Sequence, residues 1–184
     1  MTEQAEPKKG IRWRRWALVT VPVIVVLGFL SGYFANSGYG NPWFDRLDKP
    51  AIMPPGSLFP VAWTTLYVLM GLAVALILAL PKSQGRSVAL IFFLGQLSLN
   101  LCWSPVFFAQ HKVMLAFGII VAMFAWAAIA TAIFWRIRRP AAWLMLPYLA
   151  WLLFAATLNW QIHILNPSNG ALVGASVNPQ IIID

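Results

Sequence analysis

Residues 113–135 read VMLAFGIIVAMFAWAAIATAIFW, with no charged side chain between Lys112 and Arg136. At about 1.5 Å of rise per residue, such a run crosses the roughly 30 Å hydrocarbon layer of a bilayer as a helix. It is far longer than the roughly four to eight residues of a buried strand. Four other stretches have the same character, at 17–35, 58–80, 87–108 and 141–165, each bounded by charges or by loop residues. The pattern predicts an all-α membrane protein, a five-transmembrane-helix bundle over 16–166. A basic amino-terminal segment (1–15) precedes it, and a tail (167–184) with no assigned function follows.

Composition agrees. The 184 residues are 60% apolar and 10% charged, where soluble domains carry about a quarter charged residues. The net charge of +8 falls in the gaps between apolar runs and forms no basic face, so no nucleic-acid partner is expected. A single cysteine excludes an internal disulfide framework, and two well-separated histidines argue against a metal site. No metal and no required cofactor are expected.

Short loops rich in Lys and Arg favour the cytoplasmic side. Ten of the thirteen Lys and Arg lie in the amino-terminal segment, the loop between spans 2 and 3, and the loop between spans 4 and 5; Arg46, Lys49 and Lys112 lie on the opposite side. This alternation fits five spans with the amino terminus cytoplasmic and the carboxyl terminus opposite. A bacterial inner membrane is the expected location. The first span has the outline of a secretory leader, but its length and the four spans after it favour an uncleaved anchor. The run KKGIRWRR reads as a contact with anionic membrane lipid rather than as a nucleic-acid arm.

Ten tryptophans punctuate the chain. Trp16, Trp43, Trp135 and Trp143 fall at or beyond helix ends, as in an interfacial aromatic belt. Trp63, Trp126 and Trp151 fall within spans, and Trp103 and Trp160 about one turn from span ends; an indole N–H there needs a neighbouring helix or a cavity. Polar residues inside spans share faces with them. Gln96 and Asn100 are one turn apart, Tyr148, Trp151, Ala155 and Asn159 form one stripe, and Trp63, Tyr67 and Gly71 another. Trp63, Asn100 and Asn159 fall roughly 7, 12 and 9 Å below the outer helix ends at about 1.5 Å per residue. Interhelical glue is one explanation of this level. A ligand cavity is the other, and the proline-rich connection above it, NPWFDRLDKPAIMPPGSLFP, is long enough to act as a lid. Its interleaved Asp45, Arg46, Asp48 and Lys49 are expected to pair locally. Pro22, Pro105 and Pro147 either kink the spans to shape a cavity or serve packing.

Three segments in order, WFDRLDKPAIMPPGSLFPVAWTTLY, GQLSLNLCWSPVFF and PYLAWLLFAATLNW, resemble the signatures of the translocator protein family, also called tryptophan-rich sensory proteins or peripheral benzodiazepine receptors. The resemblance covers about residues 16–167. It implies a five-helix protein, often a homodimer, that binds porphyrins and haem-type tetrapyrroles under the loop between spans 1 and 2. In animal members it also implies sterol and benzodiazepine-type ligands. Carried over by position, the ligand contacts are Trp63, Asn100, Trp151 and Ala155, with Trp43, Phe59, Leu115 and Leu158 as further lining positions. Where animal members carry a proposed cholesterol motif, this chain reads LNWQIHIL, with Trp160 and Ile164 in place of tyrosine and arginine, which disfavours sterol recognition by that pattern.

With Tyr67, Gln96, Tyr148 and Asn159 from the shared faces, these residues form the candidate site. None of the spans carries an acidic or basic residue of the kind that couples ion transport. Cys102, His111 and His163 have no hydrolytic partners in sequence, and haem ligation by His163 or Met114 carries little weight. The leading reading is a receptor or sensor for porphyrins that affects tetrapyrrole transport or homeostasis. A second, implied by the resemblance, is light-dependent porphyrin degradation with Trp63 and Trp151 as candidate catalytic residues. A third is a structural subunit, consistent with the small-residue spacings Gly28/Gly32 and Gly71/Ala75.

Overall fold

The computed structural model describes residues 9–167, and neither the first eight residues nor the tail beyond Pro167 is among them. The elements are α1 (Lys9–Phe34), α2 (Pro42–Arg46), α3 (Leu58–Leu78), α4 (Gln84–Ser104), a π-helical turn (Pro105–Ala109), α5 (Val113–Ile137) and α6 (Arg139–Leu165). No strand occurs among the described residues. Five segments, Arg12–Phe34, Leu58–Leu78, Gln84–Ala109, Val113–Ile137 and Arg139–Leu165, are long and apolar enough to cross a membrane.

The boundaries depart from the sequence reading in two instructive places. α1 starts at Lys9 rather than at 17, because apolarity marks where lipid begins whereas Arg and Lys continue a helix into water without strain. The third span is not α-helical to its end. Pro105 has no N–H to give, and the turn widens until the Gln110 N–H reaches the Pro105 carbonyl at 3.0 Å, a five-residue closure. The connection before α3, read from the sequence only as a possible lid, holds one short helix. Asn41 caps α2 by accepting from the N–H groups of Trp43 and Phe44, with Pro42 at the first helical position.

Packing contacts run in a closed order, α1 on α3, α3 on α6, α6 on α5, α5 on α4 and α4 back on α1. Small residues set the closest approach. A Cβ on Gly71 would stand 2.7 Å from the Val21 Cα, and one on Gly28 would enter the Tyr67 ring. Polar side chains then bond across the joints: Thr20 donates to the Gly71 carbonyl at 2.7 Å and Ser31 to the Leu101 carbonyl at 2.6 Å. The main core includes Met70, Phe93, Ile120, Met123, Phe134 and Leu152. A second cluster, with Trp43, Phe44, Phe107, Phe108 and Ile162, joins α2 to the π-helical turn and to the end of α6.

Candidate functional site

Between these two clusters lies a cavity of about 800 Å³. α1 contributes Gly28, Phe29, Gly32 and Tyr33, α3 Phe59, Trp63 and Tyr67, and α6 Trp151, Ala155, Leu158 and Asn159. α4 adds Asn100 and Trp103, and α5 adds Ile120 and Met123. No charged side chain lines it among the described residues.

Its aromatic wall follows from the helical repeat. Trp63 and Tyr67 are one turn apart on α3, with ring centroids 5.3 Å apart. Trp63 meets Trp151 across the α3–α6 joint at 6.2 Å and 76°, and Phe59 meets Trp151 at 6.1 Å and 81°, both edge to face. The N–H groups of Trp103 and Trp151 and the Asn159 Oδ1 are buried without a hydrogen-bond partner. The amide nitrogen of Asn159, by contrast, donates to the Val113 carbonyl at 2.9 Å, tying α6 to the start of α5.

The floor is a polar knot in an apolar core. The Tyr67 hydroxyl donates to Asn100 Oδ1 at 3.0 Å, and Asn100 Nδ2 donates to the Tyr148 hydroxyl at 3.2 Å and toward the Met123 sulfur at 3.5 Å. In hydrocarbon such bonds are the alternative to an unsatisfied group. They fix the three side chains together.

The roof is held by backbone recognition, with Lys49 and Asp45 each bonding main-chain groups where the sequence suggested local ion pairs. Lys49 Nζ donates to the carbonyls of Phe44, Asp45 and Leu47 at 2.9–3.2 Å and lies 4.9 Å from the Phe44 ring centre. The Asp45 carboxylate accepts from the Gly40 N–H at 3.0 Å, and Gly40, with φ +95°, occupies a backbone region that suits glycine. Trp43 stacks on His111 at 4.4 Å and 18°. Asn166 bonds the backbone of Asp48.

The structure therefore gathers Phe59, Trp63, Tyr67, Asn100, Trp151, Ala155, Leu158 and Asn159 around one space. Four other candidates stand apart from it. Trp43 is buried in the roof, Tyr148 supports Asn100 from behind, and Gln96 lies in the core one turn from Asn100. Leu115 is 52% exposed on the outer side of α5, because Val113, Ala116 and Ile120 take the inward positions of that helix. Trp103, Phe107, Ile120 and Met123 line the cavity but were not among the sequence candidates. Trp103 was legible, being three residues beyond Asn100 on the same helical face. Met114 is 45% exposed, and neither it nor His163 lines the cavity. No cluster of three or more metal-ligating side chains occurs among the described residues.

The profile of the TspO/MBR family matches residues 19–165. Protein CrtK of Rhodobacter capsulatus is 38% identical over 128 residues, 68% of this chain and 79% of that protein. The tryptophan-rich sensory protein of Cereibacter sphaeroides is 37% identical over 124 residues, 67% of this chain and 77% of that one. The translocator protein of Ovis aries is 40% identical over 138 residues, 73% of this chain and 80% of its own length. Five apolar helices of spanning length and a match across all of them lead to one assignment: the chain is an integral membrane protein of the TspO/MBR family.

Proposed function

We propose that this protein is a membrane receptor or sensor that binds a porphyrin or related tetrapyrrole in the cavity beneath the roof, and so affects tetrapyrrole transport or homeostasis. The observation that carries the reading is the cavity of about 800 Å³ with an aromatic wall and an uncharged lining. Its volume falls within the roughly 300–1,000 Å³ of small-molecule sites. Trp63, Trp151 and Phe59 offer ring edges and faces to a flat conjugated guest. Asn36 and Ser37, at the end of α1, supply neutral polar groups for its polar periphery. In this reading the five long helices form a transmembrane bundle in a bacterial inner membrane, with the basic helix ends cytoplasmic and two copies associating as a homodimer.

Titration of the purified protein with protoporphyrin, followed by quenching of tryptophan fluorescence, tests the reading. Saturable quenching that is lost in a Trp63→Ala, Trp151→Ala double variant is the expected result. Quenching unchanged in that variant would remove the site. The same indole pair also suits photochemistry on a bound ring. Soret absorbance that decays under illumination faster with protein than without, and only when both indoles are present, would shift the assignment to a porphyrin-degrading enzyme.

A further inference from the structure

The exposed lining residues mark where the cavity opens. On α4, α5 and α6 every lining residue is buried or half-buried, and the exposed ones come from three neighbouring places: the last turns of α1 (Phe29, Tyr33), the link that follows it (Ser37, Tyr39) and the start of α3 (Ser57, Pro60). Phe29 is 47% and Tyr33 80% exposed. The packing of α1 on α3 explains this position. The two helices run antiparallel and touch closely at Gly71, where the Val21 backbone leaves no room for a Cβ, and at Gly28, which lies against the Tyr67 ring. One turn further out, Gly32 and Trp63 would meet next, yet a Cβ on Gly32 would have only Ser37 within 4 Å and nothing of α3. Both residues line the cavity. The seam is therefore shut at Gly28 and parted at Gly32, and the cavity reaches the protein surface through the gap.

This gap lies at the depth of lipid. Phe29 and Trp63 each stand five residues inside their helix ends, roughly 7 Å at about 1.5 Å per residue, within segments of spanning length. The apolar side chains exposed beside the gap, Phe34, Leu58 and Val61, suit hydrocarbon. Above it the roof is fastened. Asn41 Nδ2 donates to the Asn36 carbonyl at 2.9 Å, Asn166 holds Asp48, and the Tyr39 ring lies so close to Gly56 that a Cβ there would stand 2.7 Å from it. We propose that the gap is a lateral portal between α1 and α3, through which the guest passes from the lipid leaflet on the roof side rather than from water through the roof. The portal rests on the cavity being the guest site proposed above, and it adds the guest's class: an amphiphile dissolved in the membrane. Such a molecule enters edge-on, its ring among Phe29, Phe59 and Trp63 and its polar edge at the hydroxyls of Ser37 and Ser57 on the upper lip.

Thiol labelling in bilayer nanodiscs, which leave both faces open to water, tests the route. It uses no porphyrin, so its failure and a failure of the porphyrin titration are told apart. Ala155→Cys, in the cavity on α6, is made in a Cys102→Ser background and treated with a long-chain N-alkyl maleimide dissolved in the bilayer or with an impermeant charged maleimide. Val61→Cys, exposed beside the gap, and Gln110→Cys, exposed between long helices, calibrate lipid and water. The ratio of the two rates at position 155 should follow that at position 61. A ratio like that at position 110, or no reaction with either reagent, would overturn the portal. Gly32→Phe gives a second reading, because its Cβ has room and its ring would fill the parted seam. Labelling at position 155 by the bilayer reagent should then slow several-fold, with no change at position 61. An unchanged rate at position 155 would put the route elsewhere and overturn the assignment.

Discussion

Asn166 at the carboxyl end of α6 grips the backbone of Asp48 at two points, its Oδ1 accepting from the N–H and its Nδ2 donating to the carbonyl, both at 2.9 Å. The amide imitates a neighbouring peptide and fastens the roof to the last turn of α6. Asn166→Ala removes both bonds and leaves part-buried backbone groups unpaired, at a cost of about 1–3 kcal/mol. The roof should then restrain a ligand less, and protoporphyrin should leave about tenfold faster, as expected for about 1.4 kcal/mol. Stopped-flow release in detergent measures this. A release rate equal to wild type would show that the roof does not hold the guest.

Trp151 and Asn100 both line the cavity, yet they should fail differently. The Trp151 indole N–H has no protein partner, so Trp151→Ala removes ring contact without orphaning another group. Porphyrin affinity should fall about tenfold, near 1.4 kcal/mol, with little change in melting. Asn100→Ala strands the hydroxyls of Tyr67 and Tyr148 in the core and should cost about 1–3 kcal/mol of stability. That is read as a melting temperature lower by about 2–4 °C per kcal/mol. Circular dichroism melts beside binding isotherms separate the two, and identical melts would mean that the polar knot contributes nothing to folding.

The joint between α1 and α3 tolerates no side chain at position 71. Gly71→Ala would place its Cβ 2.7 Å from the Val21 backbone, force the helices apart and stretch the Thr20 bond. Overpacking of this kind costs about 1–3 kcal/mol. Gly118→Ala is the matched control, since nothing lies within 4 Å of a Cβ there, and it should leave melting unchanged or slightly raised. Equal melts for the two variants would contradict the close approach.

Orientation has its own measurement. In a Cys102→Ser background, a cysteine at Gln110 should react with an impermeant maleimide from the outer side, and one at Ser83 only from the cytoplasmic side. Both residues are exposed between long helices. Labelling of both from one side would break the five-span topology.

Much of the fold was legible because lipid imposes a one-letter test: 113–135 has no charge, and a spanning helix is the simplest structure for it. What hydropathy could not show was where helices stop, since Lys9 and Arg12 continue α1 where the apolar run is absent. Pro105 looked like one more tolerated proline, whereas its missing N–H reorganised the last turn. Asn41-Pro42 was a readable cap and first-turn pair, overlooked among the prolines that follow it. In the site, Trp63 and Tyr67 share a face because they are a turn apart on α3, and the structure sets Asn100 of α4 against Tyr67. The rise per residue puts Gln96 about 6 Å from Asn100 along α4, and a shared face alone does not say that it lies in the core a turn away from the cavity. Nor does spacing give helix rotation, so Leu115 stands outward while Ile120 on the same helix faces in.

The uncharged lining has a consequence for energetics across the bilayer. A chamber without fixed ions offers the membrane voltage no handle, so a neutral guest should enter and leave at rates indifferent to polarisation of the cell. Discrimination among guests then falls to outline and to the polarisability of their ring systems, with any ionised substituent kept at the watery rim.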